Sequence, residues 1–348
     1  MHAISAFMSE KIFESYTNKN VLITGADGFI GSHLTELLVK SGANVTALTL
    51  YNSFGTHGWL DYIPDQIHKS VTIYAGDVRD SAQMFRLTRD YDVVFHLAAL
   101  IGIPYSYEAA HSYIDVNVHG TLNLLEAARS NRVGRLVHTS TSEIYGSAQT
   151  RPISETHPIH GQSPYAASKI GADQLSESYA RSHNIPVVIL RPFNAFGPRQ
   201  SERAVIPTAI RQILDPACHK IKLGDLSTTR DFNYINDTVR AFAMIGESNN
   251  IEFGTAYNAG SGVETSIHEV IDKLLEITKC DKKIISEKSR VRPKNSEVRA
   301  LVADASRLKK ATGWTCETTL EDGIHKTIDW WRNRFANGLV RRNKSFSI

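Results

Sequence analysis

Val21-Leu22-Ile23-Thr24-Gly25-Ala26-Asp27-Gly28-Phe29-Ile30-Gly31 is the stretch on which the fold turns. A short apolar, β-rich run enters three glycines spaced G-x-x-G-x-x-G, and Leu34, Leu37 and Leu38 follow at helical spacing. The pattern is strand, glycine turn, helix. Glycines let the backbone approach a pyrophosphate, and the helix N-terminus offers N–H groups and the positive end of its dipole. The spacing is a variant of the G-x-G-x-x-G dinucleotide motif. The plainer alternative is an ordinary strand-to-helix turn. Three glycines in this setting favour a dinucleotide, with Gly25, Asp27, Gly28, Phe29, Ile30 and Gly31 as candidate contacts.

Outward from this turn, short apolar runs near 20–24, 44–50, 71–75, 92–97, 135–140 and 186–191 alternate with helical patterns near 30–41, 81–89, 111–131 and 163–183. The alternation predicts βαβ units and an α/β, Rossmann-like, doubly wound parallel sheet. Val93-Val94-Phe95-His96-Leu97 is almost wholly apolar, as a strand covered on both faces is. After Arg191 the rhythm breaks at Gly197, Pro198, Pro207, Pro216 and Gly224. The expected organisation is an N-terminal extension (1–19), a Rossmann domain (20–191), a smaller α+β domain (192–332) and a basic tail (333–348).

Composition narrows the function classes. The chain has 348 residues, 42% hydrophobic and 22% charged, with a formal net charge of +3. This is an ordinary globular balance with enough chain for a substantial core. No dense basic stripe lies outside the tail, which argues against a nucleic-acid partner. The longest apolar run, Val93 to Pro104, is interrupted by His96 and is too short to span a bilayer, so no membrane partner is expected. The three cysteines, Cys218, Cys280 and Cys316, form no C-x-x-C pair, and Glu10, Lys11 and Glu14 are unlike a signal peptide. A reducing, cytoplasmic setting is the expectation. The 14 histidines show no H-x-x-x-H spacing paired with an acid, so no metal site is expected.

Tyr165-Ala166-Ala167-Ser168-Lys169 sets a phenol and an amine four apart on a predicted helix, so both leave one face. A neighbouring ammonium favours phenolate and turns a weak base into one usable near neutral pH. Taken alone, the pair reads as snorkelling surface residues. Its weight comes from the glycine turn upstream.

Further motifs follow in order: Asp77-Val78, His96-Leu97-Ala98-Ala99, Asn117, Thr139-Ser140-Thr141, Arg191-Pro192-Phe193-Asn194 with Gly197-Pro198, and Arg230-Asp231-Phe232-Asn233-Tyr234 with Asp237. The whole set resembles the extended short-chain dehydrogenase/reductase superfamily, in its nucleotide-sugar epimerase/dehydratase branch, from Asn20 to Trp331. The resemblance implies that Asp77 and Val78 meet the adenine and that Leu97, Ala98 and Ala99 also line the cofactor. It implies that Lys169 bonds the nicotinamide ribose and that Thr141 sits near the transferred hydride. Asn194 and Arg230 would hold the substrate diphosphate, with Arg292 a further candidate. An Arg fork matches a diphosphate better than a flexible Lys does.

Thr141-Ser142-Glu143, followed by Ile144-Tyr145-Gly146, bears on the reaction. Simple 4-epimerases of this branch need only the Tyr, the Lys and a Ser/Thr. A carboxylate at Glu143 adds a base for the C5 proton, which becomes acidic once C4 is a ketone. Loss of the C6 hydroxyl as water and hydride return to C6 complete a 4,6-dehydration. Many such dehydratases carry Thr-Asp-Glu, the Asp protonating the departing hydroxyl. Here Ser142 stands at that position, as in GDP-mannose 4,6-dehydratases and UDP-glucuronate decarboxylases, and the acid is left open. Glu143 could serve as base and then as acid. A UDP-glucuronate decarboxylase or a 4-epimerase is the alternative, and a mere cap on the chain leaving the strand is the structural reading of Glu143.

Longer stretches narrow the resemblance: Leu50-Tyr51-Asn52-Ser53-Phe54, Gly58-Trp59-Leu60-Asp61, Ala99 to Tyr107, Gly161 to Tyr165, Thr228 to Tyr234 and Arg292 to Glu297. They look like N-acetylglucosamine-nucleotide 4,6-dehydratases of the legionaminic acid type of pathway, which implies UDP- or GDP-linked N-acetylglucosamine as substrate. Pro104, Tyr105 and Ser106 follow a predicted strand end, where such a sheet opens its ligand crevice, and could face the sugar or pack the loop. The run Leu48-Thr49-Leu50-Tyr51-Asn52-Ser53 has no acid for the ribose hydroxyls and no Arg or Lys for a 2′-phosphate. NAD is favoured and NADP stays open. Segments 111–131 and 163–183 carry more apolar residues than one sheet face needs. In the family these helices form a four-helix bundle across a homodimer, and cover within the monomer is the alternative.

Overall fold

The computed structural model describes residues 13–287, 290, 293 and 295–340. The first half runs β1 (Asn20–Thr24), α1 (Phe29–Lys40), β2 (Asn44–Leu50), α2 (Asp65–His68), β3 (Val71–Gly76), α3 (Ser81–Leu87) and β4 (Val93–His96). It continues through α4 (Ile103–Glu108), α5 (Ala110–Tyr113), a π-helical turn (Ile114–His119), α6 (Gly120–Asn131), β5 (Leu136–Thr139), α7 (Pro164–His183) and β6 (Val187–Pro192). The strands and helices sit where the alternating pattern predicts them.

The second half is more fragmented. It comprises β7 (Asn194–Phe196), α8 (Val205–Leu214), β8 (Lys220–Leu223), β9 (Thr229–Arg230), β10 (Phe232–Tyr234), α9 (Ile235–Glu247) and β11 (Ala256–Ala259). Then come β12 (Thr265–Ser266), α10 (Ile267–Thr278), β13 (Lys283–Ser286), β14 (Ala300–Leu301), α11 (Ser306–Thr312) and α12 (Leu320–Ala336).

Seven strands form one sheet in the order β11-β6-β5-β4-β1-β2-β3, with every neighbouring pair parallel. Alternate residues of β1 feed opposite cores, as the pleat requires. Val21 and Ile23 join Leu34 and Leu38 of α1 and Phe242 of α9, whereas Leu22 joins Met84 of α3 and Leu124 and Leu125 of α6. Small sheets β10-β7, β12-β9-β14 and β13-β8 make up the α+β lobe.

One strand departs from the expected division after Arg191. Ala256–Ala259 returns from the second half and pairs with β6, Tyr257 against Leu190. Its sequence, Ala-Tyr-Asn-Ala, carries little of the β-branched signal that marks the other strands. Before β1, Glu14–Tyr16 forms a single 3₁₀ turn. Tyr16 is fully buried there, stacks near Phe95 and donates its hydroxyl to the Ala243 carbonyl at 2.8 Å. Residues 1–12 and the basic stretch 341–348 lie outside the described residues. Among the described residues, no helix is long and apolar enough to cross a membrane.

Candidate active site

The strand order reverses between β1 and β4, and the carboxyl ends of those strands open a crevice there. Gly25 has φ +69°, and a Cβ on it would lie 2.7 Å from the Ala98 nitrogen. A Cβ on Gly31 would lie 2.2 Å from the Gly25 carbonyl oxygen. Both clashes are with backbone, so the turn closes only on glycine. Gly28 is the N-cap of α1, and no side chain caps its first turn. The first N–H groups of the helix therefore remain available to an anion. This cradle fits the pyrophosphate of a dinucleotide.

The walls of the crevice come from neighbouring strand ends. Leu97 N donates to the Thr24 carbonyl at 3.1 Å, and Ala98 N donates to Thr24 Oγ1 at 3.2 Å, which sets Leu97-Ala98-Ala99 beside the glycines. Asp27 accepts Leu50 N on its carboxylate at 3.4 Å and Trp59 N on its carbonyl at 3.0 Å, so the loop after β2 folds back onto the turn. Burial raises the Asp27 carboxyl. Phe29 sets its ring edge to His33, and Ile30 is half-buried beside it. Asp77 is gripped by Arg79 through Nε at 3.0 Å and Nη2 at 2.5 Å. The Val78 side chain is buried and lies over Gly120.

The other wall carries the phenol. Ser163 caps α7 by accepting Ala166 N at 3.1 Å, and Pro164 occupies the first turn, so the helix starts immediately before Tyr165. Tyr165 is 8% exposed and Lys169 3%. Thr141 ends the loop after β5 and accepts Glu143 N on its hydroxyl at 3.2 Å. The same Thr141 side chain hydrogen-bonds the Tyr165 phenol, and the Glu143 charge acts directly on that phenol. Thr141, Glu143 and Tyr165 thus converge, while Ser142 is buried in the short turn between them. The expectation that Lys169 lowers the phenol is corrected. Burial pushes Tyr165 well above its ordinary value, Glu143 adds to the rise, and only the Thr141 hydrogen bond opposes it.

Behind the phenol lies a buried polar cluster that the sequence analysis missed. Arg191 donates to Asp173 Oδ2 from Nε at 3.1 Å and from Nη2 at 3.0 Å, and His138 Nε2 stands 3.4 Å from Asp173 Oδ1. His96 holds Thr24 Oγ1 at 2.8 Å and Thr121 Oγ1 at 3.1 Å, its ring 5.6 Å from that of His138. Burial holds His138 as a neutral imidazole, down to about 4. The signal was present: Lys169 and Asp173 repeat the four-residue spacing of Tyr165 and Lys169.

On the substrate side the expected residues separate. Asn117, in the π-helical turn, bonds both the N–H and the carbonyl of Leu100 and donates to Ser168 Oγ at 2.9 Å, tying the loop after β4 to α7. Pro104 and Tyr105 open α4, with Tyr105 41% exposed and its ring near Tyr113. Ser106 is fully buried, and its hydroxyl donates to the Ile103 carbonyl of its own helix at 2.7 Å. Among the described residues the Asn194 side-chain oxygen is buried with no hydrogen-bond partner. Arg230 is buried and reaches Glu297 Oε1 at 3.4 Å. Ser296, the neighbour of Glu297, donates to the Gln162 carbonyl at 2.6 Å and pairs with Tyr107 OH at 2.5 Å. The Arg230 strand is thereby linked to the loop that precedes Tyr165. Arg292 lies outside the described residues.

Residues 22–327 match the family model described as GDP-mannose 4,6 dehydratase. The chain belongs to this family. A UDP-N-acetyl-alpha-D-glucosaminuronate decarboxylase of Bacillus cytotoxicus is 34% identical over 90% of this chain and 98% of that protein. DesIV, a dTDP-glucose 4,6-dehydratase from Streptomyces venezuelae with NAD and TYD bound, superposes with a TM-score of 0.78 at 28% identity, over 91% of this chain and 98% of that one. A UDP-N-acetylglucosamine 4-epimerase from Methanobrevibacter ruminantium, in complex with UDP-N-acetylmuramic acid, gives 0.82 at 29% identity over 91% and 99%. The family's relatives thus include a decarboxylase, a dehydratase and an epimerase of sugar nucleotides.

Proposed function

We propose that the protein is an NAD-dependent sugar-nucleotide 4,6-dehydratase acting on UDP- or GDP-linked N-acetylglucosamine and releasing its 4-keto-6-deoxy product. The observation that carries this reading is the convergence of Glu143 and Thr141 on Tyr165. A 4-epimerase needs no carboxylate there, whereas elimination across C5 and C6 needs a base beside the oxidised ring.

Bound in the glycine cradle, NAD would supply a hydride acceptor at C4 and the same hydride, later, to C6. Gly25, Gly28 and Gly31 hold its pyrophosphate, Asp27, Phe29 and Ile30 shape the turn, and Asp77, Val78 and Leu97–Ala99 line its other face. Tyr165 takes the O4 proton, with Thr141 fixing the phenol and Lys169 holding the ribose and the local positive charge. Glu143 takes the C5 proton. Ser142 carries no acidic proton for the leaving hydroxyl, so Glu143, protonated in the step before, returns its proton to O6 as water departs; when hydride reaches C6, C5 takes a proton from solvent and Tyr165 releases the O4 proton to it. Asn194 and Arg230 bind the diphosphate, with Arg292 as a second guanidinium, and Tyr105 borders the sugar. Helices α5, α6 and α7 would pair with their copies in a homodimer, and three unpaired cysteines suit a reducing cytoplasm.

Incubation with UDP-, GDP- and dTDP-sugars without added reductant tests the reading by product mass. Loss of one water from an N-acetylglucosamine nucleotide is the expected result. The Thr-Ser-Glu triplet and the Bacillus relative favour a decarboxylase as the second reading, for which the result is CO2 from a uronate. Isomerisation without mass change overturns both. Gly31→Ala is expected to distort the cradle at a cost of about 1–3 kcal/mol, roughly 5- to 150-fold in NAD affinity by calorimetry. Unchanged affinity would remove the glycine turn from the cofactor site.

A further inference from the structure

Asp173, Arg191, His138 and His96 are buried behind Tyr165, and the reaction above uses none of them. A carboxylate taken out of water is costly unless it is paired. Asp173 commits one oxygen, Oδ2, to both Nε and Nη2 of Arg191. Arg191 is itself fixed, donating Nη1 to Tyr145 OH at 3.0 Å, while Tyr145 donates to Asn258 Oδ1 at 2.7 Å. Glu177 approaches the same guanidinium at 4.0 Å from the rim. Among the described residues the second Asp173 oxygen, Oδ1, makes no hydrogen bond of good geometry: His138 Nε2 stands 3.4 Å away, and Ser140 also acts on the carboxylate.

Lys169 stands one turn before Asp173 on the same face of α7 and is equally buried. Side chains four apart on a helix are neighbours. The ionisable groups facing Lys169 are Tyr165 and Asp173 on its own helix, His96 on β4 and His138 on β5, with Arg191 on β6 behind Asp173. Both histidines are held neutral by burial, which leaves Asp173 as the anion acting on the amine.

We propose that Asp173 is a positioning residue: Arg191 pins one of its oxygens, and the carboxylate supplies the buried counter-charge that keeps Lys169 an ammonium ion. The inference rests on the role given to Lys169 above. Burial pulls Lys169 down to about 8, and the Asp173 charge is what opposes a further fall. Without that charge the amine loses its proton at a lower pH, and the buried positive charge given to Lys169 above goes with it.

The test is a pH titration of the Lys169 side chain in lysine-13Cε-labelled protein, the resonance assigned by its loss in Lys169→Met. In Asp173→Asn the midpoint is expected to fall by at least about one pH unit, the lower end of the effect of a neighbouring opposite charge. Asp173→Glu is expected to restore it. The alkaline limb of kcat/KM is expected to move by the same amount. Should Asp173→Asn fail to fold, Asp173→Asn/Arg191→Met removes the ion pair whole. Arg191 acts on Asp173 and not on Lys169, so the same fall is expected there. An unmoved midpoint in the folded variant overturns the proposal. The resonance requires no substrate, so failure of the sugar-nucleotide reading leaves this measurement decisive.

Discussion

Tyr165→Phe is expected to lower turnover by about 10²–10⁴-fold while leaving the affinities for cofactor and sugar nucleotide within about threefold of wild type. The phenol is buried and bonded to Thr141, and the substitution deletes only its hydroxyl. The ring would keep its edge-on packing with Tyr113, 6.2 Å away, so the fold should survive. The loss therefore falls on the proton transfer that accompanies oxidation at C4. Rapid-quench measurement of keto-sugar formation in a single turnover reads that step directly. Retention of more than a tenth of the rate would remove Tyr165 as the base.

Glu143→Gln is expected to fail one step later. Glutamine keeps the size and the backbone bond to Thr141 but has no basic oxygen. Oxidation at C4 should continue, so borodeuteride trapping would find keto sugar that still carries its C6 hydroxyl. Elimination should slow by about 10²–10⁴-fold, the usual worth of a positioned base. Exchange of the C5 proton with deuterated solvent separates this from a general loss of activity. Wild type should wash the label in, and the variant should not. A Glu143→Gln enzyme that exchanges C5 normally would return Glu143 to a structural cap. The same change also takes away a negative charge that raises Tyr165, so the phenol of the variant should ionise more readily.

Much of this site was legible in one dimension because its parts are local. The glycine turn needs three glycines within seven residues, and its clashes are with backbone of the same turn and of the strand beside it. Tyr165 and Lys169 share a helical face by spacing alone. What escaped depends on depth or distance. Spacing could suggest an ammonium beside a phenol, but not that burial would outweigh it at Tyr165. Nothing in the run Pro104-Tyr105-Ser106 shows that the Ser106 hydroxyl bonds back to the Ile103 carbonyl of its own helix. Asp173, Arg191 and His138 meet only when α7, β6 and β5 pack together. The Ser296 bridge reaches back 134 residues to Gln162 and 189 to Tyr107.

The return of Ala256–Ala259 to the edge of the main sheet has a consequence for biosynthesis. Until the ribosome has released that segment, β6 presents an open row of peptide groups with no hydrogen-bonding neighbour on one side. The nascent nucleotide-binding half is thus exposed to mispairing while some sixty further residues emerge, and holdase chaperones have most to protect in that interval.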